Sequence, residues 1–240
     1  MKYAWLILAL CLTARAAQDE SLQGVVLPVQ LNSGLNTSKN KPGRQIRATV
    51  MQDVPGTAIR NGSHLVGRVL SASPAAGGSP AQIQLVFDAV EVRGMRLPIK
   101  TELRALASAL EVEQAQIPQS GPDRGTERNA WTTVQIGGDE VVYRGGGPVA
   151  RGDETVGVPT YDGVLGRLRA ASGKSCAGAS DQVQALWLFA TDACGVYGLD
   201  DVKIAHAGRT SPRGEIILAS QKGNFKIASG SGLLLQIVGN

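Results

Sequence analysis

The stretch QIQLVFDAVEVRGMRLPI, residues 82–99, predicts two β-strands joined by a tight turn. From Ile83 to Phe87 every second residue is a large apolar one and Gln84 lies between them, so one face of the strand is expected to point into a core. The alternation changes phase at Val90, which indicates a β-bulge. Arg93-Gly94 then marks the turn into the second strand.

Short strands of the same kind are predicted on both sides of this stretch. Pro28, in the first of them, predicts an edge strand or a bulge, because proline cannot donate to a ladder. The last strand is so apolar that it is expected to pair centrally with the first block. The fold class is therefore mainly β, barrel-like or sandwich-like. The other predicted strands are Val25 to Leu31, Ile46 to Val50, Leu65 to Leu70, Val202 to Ala205, Glu215 to Ala219, Phe225 to Ala228 and Leu233 to Val238.

The middle of the chain differs in composition and is predicted to be an insert. Residues 18–106 form the first β block, residues 107–198 the insert, and residues 199–240 the strands that complete the β domain. Within the insert, a hairpin is predicted around residues 132–144 and a short, buried α-helix over residues 181–194. Its start and end signals are Asp181 as N-cap, Gln184 three residues later as in a capping box, and Gly195 as the stop. Residues 104–116 fit a short helix or a continuing strand.

The N-terminus has the three parts of a secretory signal. Lys2 is followed by an apolar run from Ala4 to Leu12 and by the small residues of Ala14-Arg15-Ala16. Residues 1–17 are therefore predicted to be a cleaved signal peptide, and the mature chain to be periplasmic, outer-envelope-associated or secreted. An uncleaved anchor and lipidation at Cys11 are the alternatives, although the run is about half the ~20 residues that a span needs. No transmembrane helix is predicted in the mature chain.

Two cysteines remain after such cleavage, Cys176 and Cys194. An isolated pair in an oxidising compartment most simply forms a disulfide, with free thiols as the alternative. The two histidines, His64 and His206, do not complete a zinc-binding spacing with these cysteines, so no metal site is predicted.

Composition argues against several classes of ligand. Without Lys2 and Arg15 the chain has 22 basic and 20 acidic residues, a net charge of +2, and it contains no run of five basic residues. Nucleic acid is therefore not expected as a partner. Glycine clusters such as Gly145-Gly146-Gly147 lack the context of a phosphate loop or dinucleotide fingerprint, so no cofactor is predicted.

The sequence contains few candidate catalytic groups. His206 with Asp200 or Asp201 and Ser211 is an imaginable triad, but no nucleophile elbow accompanies it. His64 follows Ser63 at a strand entry. The close carboxylate pairs fit solvated surface charge better than glycoside hydrolysis or calcium binding; they are Glu111 and Glu113, Asp139 and Glu140, Asp153 and Glu154, and Asp200 and Asp201. No catalytic residue is assigned, and the protein is predicted not to be an enzyme.

Residues 24–103 carry an ordered set of motifs. Val26-Leu27-Pro28-Val29 is followed by Gly43 to Val50, which fits G-x-x-x-x-A-x-V, and by Gly62 to Gly67, which fits G-S-x-L-x-G. This order resembles the β-barrel domain of TrbI-type proteins, the outer-membrane core components of conjugation and type IV secretion channels. The resemblance implies a small β-barrel that assembles into rings in the envelope, and no catalytic residue comes with it. Members of that family usually carry an inner-membrane anchor and a proline-rich stretch before the barrel, whereas here the first β block is expected to follow a cleaved signal almost directly.

These observations favour a non-enzymatic exported β-domain protein that acts through contacts with envelope proteins or with itself. Self-assembly like that of a TrbI-type channel barrel is one form of such contact. The alternatives are a binding module for a polysaccharide or small ligand and, with less support, a secreted hydrolase built on His206. Aromatic residues make up only 4% of the chain, which leaves little material for stacking sugars.

Overall fold

The computed structural model describes the backbone of nine segments of the chain: residues 22–118, 131–136, 139–144, 149–151, 154–160, 163–166, 185–190, 193–205 and 213–239. Side chains are described in residues 22–116, 185–190, 193–205 and 213–239. The predicted signal peptide, residues 1–17, lies outside these segments. The fold is mainly β, as the sequence predicts.

Eighteen strands and one helix are assigned within these segments. The strands are β1 Val26–Leu31, β2 Leu35–Asn36, β3 Gln45–Val50, β4 His64–Ser73, β5 Ala81–Val92, β6 Met95–Pro98, β7 Thr101–Ala107, β8 Gln116–Pro118, β9 Trp131–Ile136, β10 Asp139–Arg144, β11 Val149–Arg151, β12 Glu154–Thr160, β13 Gly163–Gly166, β14 Gly195–Tyr197, β15 Val202–Ile204, β16 Ile216–Ser220, β17 Lys226–Ile227 and β18 Gly232–Ile237. The helix, α1, is Ala109–Ala115.

Ten strands form the main sheet, in the order β14-β7-β18-β1-β3-β4-β5-β16-β15, with β6 paired to β5. All its ladders are antiparallel except the one between β14 and β7. Among the described residues no ladder joins β14 to β15, so the sheet is open and does not close into a barrel, which was one of the two forms that the sequence predicts. Each of these terminal strands has three residues, which leaves little backbone for a closing ladder.

The other strands form two separate sheets. Six of them, in the order β8-β13-β12-β11-β10-β9, come from residues 116–166, and β17 pairs with β2. β9 and β10 pair antiparallel, with Asp139 opposite Ile136, where the sequence predicts a hairpin.

The stretch 104–116, for which the sequence allows strand or helix, contains both. β7 continues through Ala107, and Ser108 then caps α1 by accepting a hydrogen bond on its hydroxyl from the backbone N–H of Glu111, at 3.2 Å. The helix buries Val112 and Ala115 and leaves Leu110 exposed.

The predicted helix over residues 181–194 is not found in the described part of that range. Residues 185–190 and 193–194 form turns and extended backbone, and Trp187 has φ +46°, outside the right-handed helical region. The side-chain Oε1 of Gln52 accepts the backbone N–H groups of Leu186 and Trp187, at 3.1 and 2.5 Å. A tertiary contact thus replaces the helical hydrogen bonds that the local capping pattern predicted.

Only part of the main sheet is covered on both of its faces. The larger core lies on one face and includes Leu85, Phe87 and Leu235. A smaller cluster on the opposite face of β1, β7 and β18 contains Trp187, Phe189 and residues of α1. Strands buried on both faces need continuous apolar runs, whereas strands with one solvated face alternate. This difference explains the run Leu233–Leu235 in β18 and the alternation in β5.

Pro28 is neither on an edge strand nor at a bulge, contrary to the sequence-based prediction. β1 pairs with β18 on one side and β3 on the other, and Pro28 lies opposite Leu234. On the β18 side Val25 and Leu31 form ladder hydrogen bonds, so every second residue between them does the same. Pro28 falls at one of the intervening, non-hydrogen-bonded positions. On the β3 side the carbonyl of Pro28 accepts the backbone N–H of Met51, at 3.0 Å, just beyond the paired residues Val29 and Val50, so the missing N–H costs at most one bond at the end of that ladder.

Two register shifts between β4 and β5 bend the centre of the sheet. One of them leaves Asp88 unpaired, since Val66 lies opposite Ala89 and Gly67 opposite Phe87. This confirms the bulge predicted from the phase change in the sequence. Gly67 is needed there, because a Cβ at this position would lie 2.0 Å from the carbonyl oxygen of Val86.

We therefore expect Gly67→Ala to lower the free energy of unfolding by about 3 kcal/mol, because backbone atoms cannot move aside as a flexible side chain can. The measurement is urea unfolding followed by circular dichroism. Gly43→Ala is the control: Gly43 has φ +83° and open space around it, so only backbone strain of about 1 kcal/mol is expected. Equal losses in the two variants would contradict the close approach at Gly67.

Candidate interaction surface

The first candidate catalytic pair, Ser63 and His64, is not arranged for nucleophilic attack. The Ser63 hydroxyl accepts a hydrogen bond from the backbone N–H of Arg60, at 3.1 Å. His64 lies on the exposed side of β4, with its Nδ1 3.4 Å from Thr49 Oγ1. Both side chains therefore serve local structure in this geometry.

Of the second constellation, only Asp200 and Asp201 lie within the described residues; His206 and Ser211 lie outside them. Asp201 forms an ion pair with Lys222, with Oδ1 and Nζ 2.5 Å apart. This hydrogen bond and the charge of Asp201 raise the pKa of Lys222 above its ordinary value of 10.5. The contribution of the pair is thus fully present at neutral pH and is lost only as the pH rises beyond that value.

These two aspartates line a shallow cleft of about 180 Å³. Its wall includes Asn224, whose Oδ1 accepts the backbone N–H of Ala75 at 2.8 Å, and Phe225, which is 9% exposed. The cleft is smaller than the ~300 Å³ at which pockets for small molecules usually begin. Its polar groups are used in holding the loop between β16 and β17 against the rest of the domain.

The remaining acidic pairs form no site within the described side chains, where no group of three potential metal ligands occurs. Glu111 and Glu113 lie on α1, Asp139 and Glu140 are described by backbone alone, and Asp153 lies outside. Burial changes the pKa of Glu102, on β7: desolvation raises it above the ordinary 4.5, and the charge of Arg213 opposes that rise.

The disulfide stays a prediction, because Cys176 lies outside the described residues. Cys194 immediately precedes β14, and its backbone N–H donates to the hydroxyl of Tyr197, at 3.0 Å. Gly145-Gly146-Gly147 also lies outside the described segments.

Among the described side chains, an array of charged groups lies on the outward face of β3, β4, β5 and β6. The register places polar groups in rows across these strands. One row contains Thr49, His64, Glu91 and Arg96, which face one another from strand to strand. This is the side of the sheet opposite to the main core.

Three arginines and two acids of this face form what we call the arginine lattice: Arg47, Arg68, Arg96, Asp88 and Glu91. Asp88 accepts hydrogen bonds from both Arg68 and Arg96, the latter at 3.2 Å. Glu91 Oε1 lies 4.0 Å from Arg47 Nη2. The arginine side chains remain 51–59% exposed, so their charges face solvent even though they are paired.

The lattice lies beside apolar side chains that are buried although they point outward. Val66 is 6% exposed and Ala89 3%, and the two lie opposite each other. Arg47 lies across from Val66, and Arg68 lies two residues along on the same face. We attribute the burial of Val66 to the aliphatic stems of these arginines, which commonly cover apolar surface while the guanidinium stays in water.

The edge of this surface is formed by β6, which pairs only with β5 among the described strands. Arg93 and Gly94 have φ +50° and +77°, which define a two-residue type I′ turn. Such a turn makes Val92 and Met95 a hydrogen-bonded pair, and along an antiparallel ladder hydrogen-bonded and non-hydrogen-bonded pairs alternate. Asp88 and Ile99 are accordingly a hydrogen-bonded pair again, and the Ile99 N–H donates to the Asp88 carbonyl at 3.0 Å. Glu91 and Arg96 lie between these pairs and form a non-hydrogen-bonded pair. The N–H and C=O of Arg96 therefore point away from β5.

Sequence reasoning missed the arginine lattice, although a signal for it was present. Residues 39–100 contain nine Lys and Arg against three Asp and Glu, whereas the rest of the mature chain is slightly acidic. The whole-chain charge of +2 hides this asymmetry. A count over the predicted first block would have shown it.

No protein-family model, no curated protein and no solved structure matches the chain. Among the described residues, none of the helical segments has the length and apolar character required to cross a bilayer.

We expect Arg68→Ala to lower the free energy of unfolding by about 1 kcal/mol, because it removes the stem beside Val66 as well as the charge. Arg68→Met retains an apolar stem and loses only an exposed ion pair, so a loss below about 0.5 kcal/mol is expected. Chemical denaturation of both variants makes the comparison. If the methionine variant lost as much as the alanine variant, the ion pair and not the stem would be the stabilising part.

Proposed function

We propose that this protein is a non-enzymatic exported β-domain protein that acts through protein contacts made at the free edge of β6. The observation that carries the proposal is the outward-pointing backbone of Arg96 on a strand that has one hydrogen-bonded neighbour among the strands the structure describes. Unpaired N–H and C=O groups on a sheet edge are a template for strand addition by another chain.

The exposed side chain beside this edge supports the same proposal. Met95 is 59% exposed at the start of β6. Methionine is a flexible, polarizable side chain that adapts to partner surfaces. An added strand would gain backbone hydrogen bonds from Arg96 and apolar contact from Met95.

The contact is expected to be short and selective. Pro98 has no N–H to donate, so the ladder available to a partner ends after Arg96 and the carbonyl of Pro98. A limited edge of this kind suits either a second copy of the chain or a specific envelope partner. The resemblance of residues 24–103 to TrbI-type barrels, which assemble into rings, adds to the case for a second copy.

The alternative of a small-ligand or polysaccharide module rests on the cleft at Lys222. That cleft is small, its lysine is paired with Asp201, and its aromatic residue Phe225 is almost fully buried. Stacking on a sugar needs an exposed ring face. The protein-contact proposal therefore has the stronger support.

The test places a photo-crosslinking amino acid at Met95 in the full chain, made in its native cells, and at Leu110 as the control. Leu110 is exposed to the same degree, 60% against 59%, but lies on α1. We expect a protein adduct from position 95 and none from position 110. An adduct of twice the chain mass would identify a second copy.

Two substitutions at Arg96 then show whether the edge itself makes the contact. Arg96→Pro removes the outward N–H without removing a bond of the β5–β6 ladder, and is expected to abolish the adduct. Arg96→Ala keeps that N–H and is expected to retain it. Absence of any adduct at position 95, or equal adducts in both Arg96 variants, would refute strand addition at β6.

A further inference from the structure

We propose that the outward face of β3–β6 docks on an anionic lipid bilayer surface, with the arginine lattice facing the headgroups. This inference is independent of the strand addition proposed at β6, since the edge lies in the plane of the sheet and the lattice lies on its face. The same molecule can therefore make both contacts.

The charge of this part of the chain carries the first step. Residues 39–100 have a net excess of six positive charges, and the three acids among them, Asp53, Asp88 and Glu91, each lie within 4.0 Å of an arginine. Residues 18–38 contain two acidic residues and no basic one, and residues 101–240 contain 13 basic and 15 acidic ones. The excess positive charge is thus concentrated in the β2–β6 region and is not spread over the protein.

The arrangement of the cations carries the second step. The centre of the face is the arginine lattice, whose arginines are paired but half-exposed. Cations with no ion pair within the described residues lie at both ends of the face: Lys39, Lys41 and Arg44 precede β3, and Arg93 lies in the β5–β6 turn. These four side chains are exposed.

This distribution fits a plane of negative charge better than a single acidic group. The cations lie on the outward face of a sheet and its flanking turns, whereas the cleft at Lys222 lies elsewhere. A bilayer that contains anionic lipid attracts each Lys or Arg near its surface, and the attraction falls off within a Debye length. A broad surface with cations at its centre and ends therefore brings several of them into range at once.

Vesicle sedimentation with the purified mature chain, residues 18–240, tests the assignment. The probes are vesicles of 70% phosphatidylcholine and 30% phosphatidylglycerol, and vesicles of phosphatidylcholine alone. We expect binding to the anionic vesicles only, and loss of that binding in 1 M salt, where the Debye length is about 3 Å. Lys41→Gln and Arg93→Asn should each weaken binding to the anionic vesicles about fivefold.

Removal of the acids gives a test that misfolding cannot imitate. Glu91→Gln and Asp88→Asn each add one net positive charge to the face, and each should strengthen binding to anionic vesicles about fivefold. Glu113→Gln is the matched control, because Glu113 is an exposed acid on α1. It should change binding less than twofold.

Each possible result decides the proposal. Equal binding to both vesicle types, or no gain from Glu91→Gln and Asp88→Asn, would overturn it. Retention on poly-glutamate beads without vesicle binding would replace the bilayer by an acidic protein as the partner of this face. Vesicle binding is measured without any protein partner, so its failure would leave the photo-crosslinking test at Met95 unaffected.

Discussion

The structure depends on the burial of β18 between β1 and β7. Leu233, Leu234 and Leu235 are all at most 2% exposed, and they alternate between the main core and the smaller cluster on the other face. The hydrophobic free energy of such a strand is available only when both faces are covered. The C-terminal strand must therefore return to the N-terminal block, and a cover must be supplied for the second face.

That cover determines the conformation of several distant residues. α1 and residues 186–189 lie over β1, β7 and β18, and Gly232 leaves room for them: a Cβ there would lie 3.1 Å from Val112 and 3.3 Å from Trp187. Trp187 accepts a positive φ in this position, which is unusual for a bulky residue. The backbone N–H bonds to Gln52 offset that cost, so the segment is held by the sheet and not by its own helical propensity.

This dependence explains which elements the sequence predicts well. The strands of the first block and the C-terminal region follow from period-two alternation and turn residues, which are local signals, and the bulge at Asp88 follows from a phase change. The helix predicted over 181–194 is not found in the described part of that range, because Trp187, Leu188 and Phe189 are buried as a cover of the sheet, and this tertiary packing leaves no signal in the local sequence. The arginine lattice needed the register of four strands, since Arg47, Arg68 and Arg96 are far apart in sequence and no motif joins them.

The arginine lattice also bears on how an open sheet avoids uncontrolled pairing. A free edge such as that of β6 can pair with any extended chain, and proteins limit such pairing by placing charged residues and proline on the edge. Here Arg96 and Pro98 lie on the edge itself, and Asp88 holds the Arg96 side chain on the face of the sheet. The guanidinium is thereby kept off the outward N–H and C=O of the same residue, so these groups stay accessible to a strand that fits. Asp88, which partly neutralises the charged face, thus also keeps the edge of β6 open. Both surfaces therefore depend on Asp88, although one lies on the face of the sheet and the other at its edge.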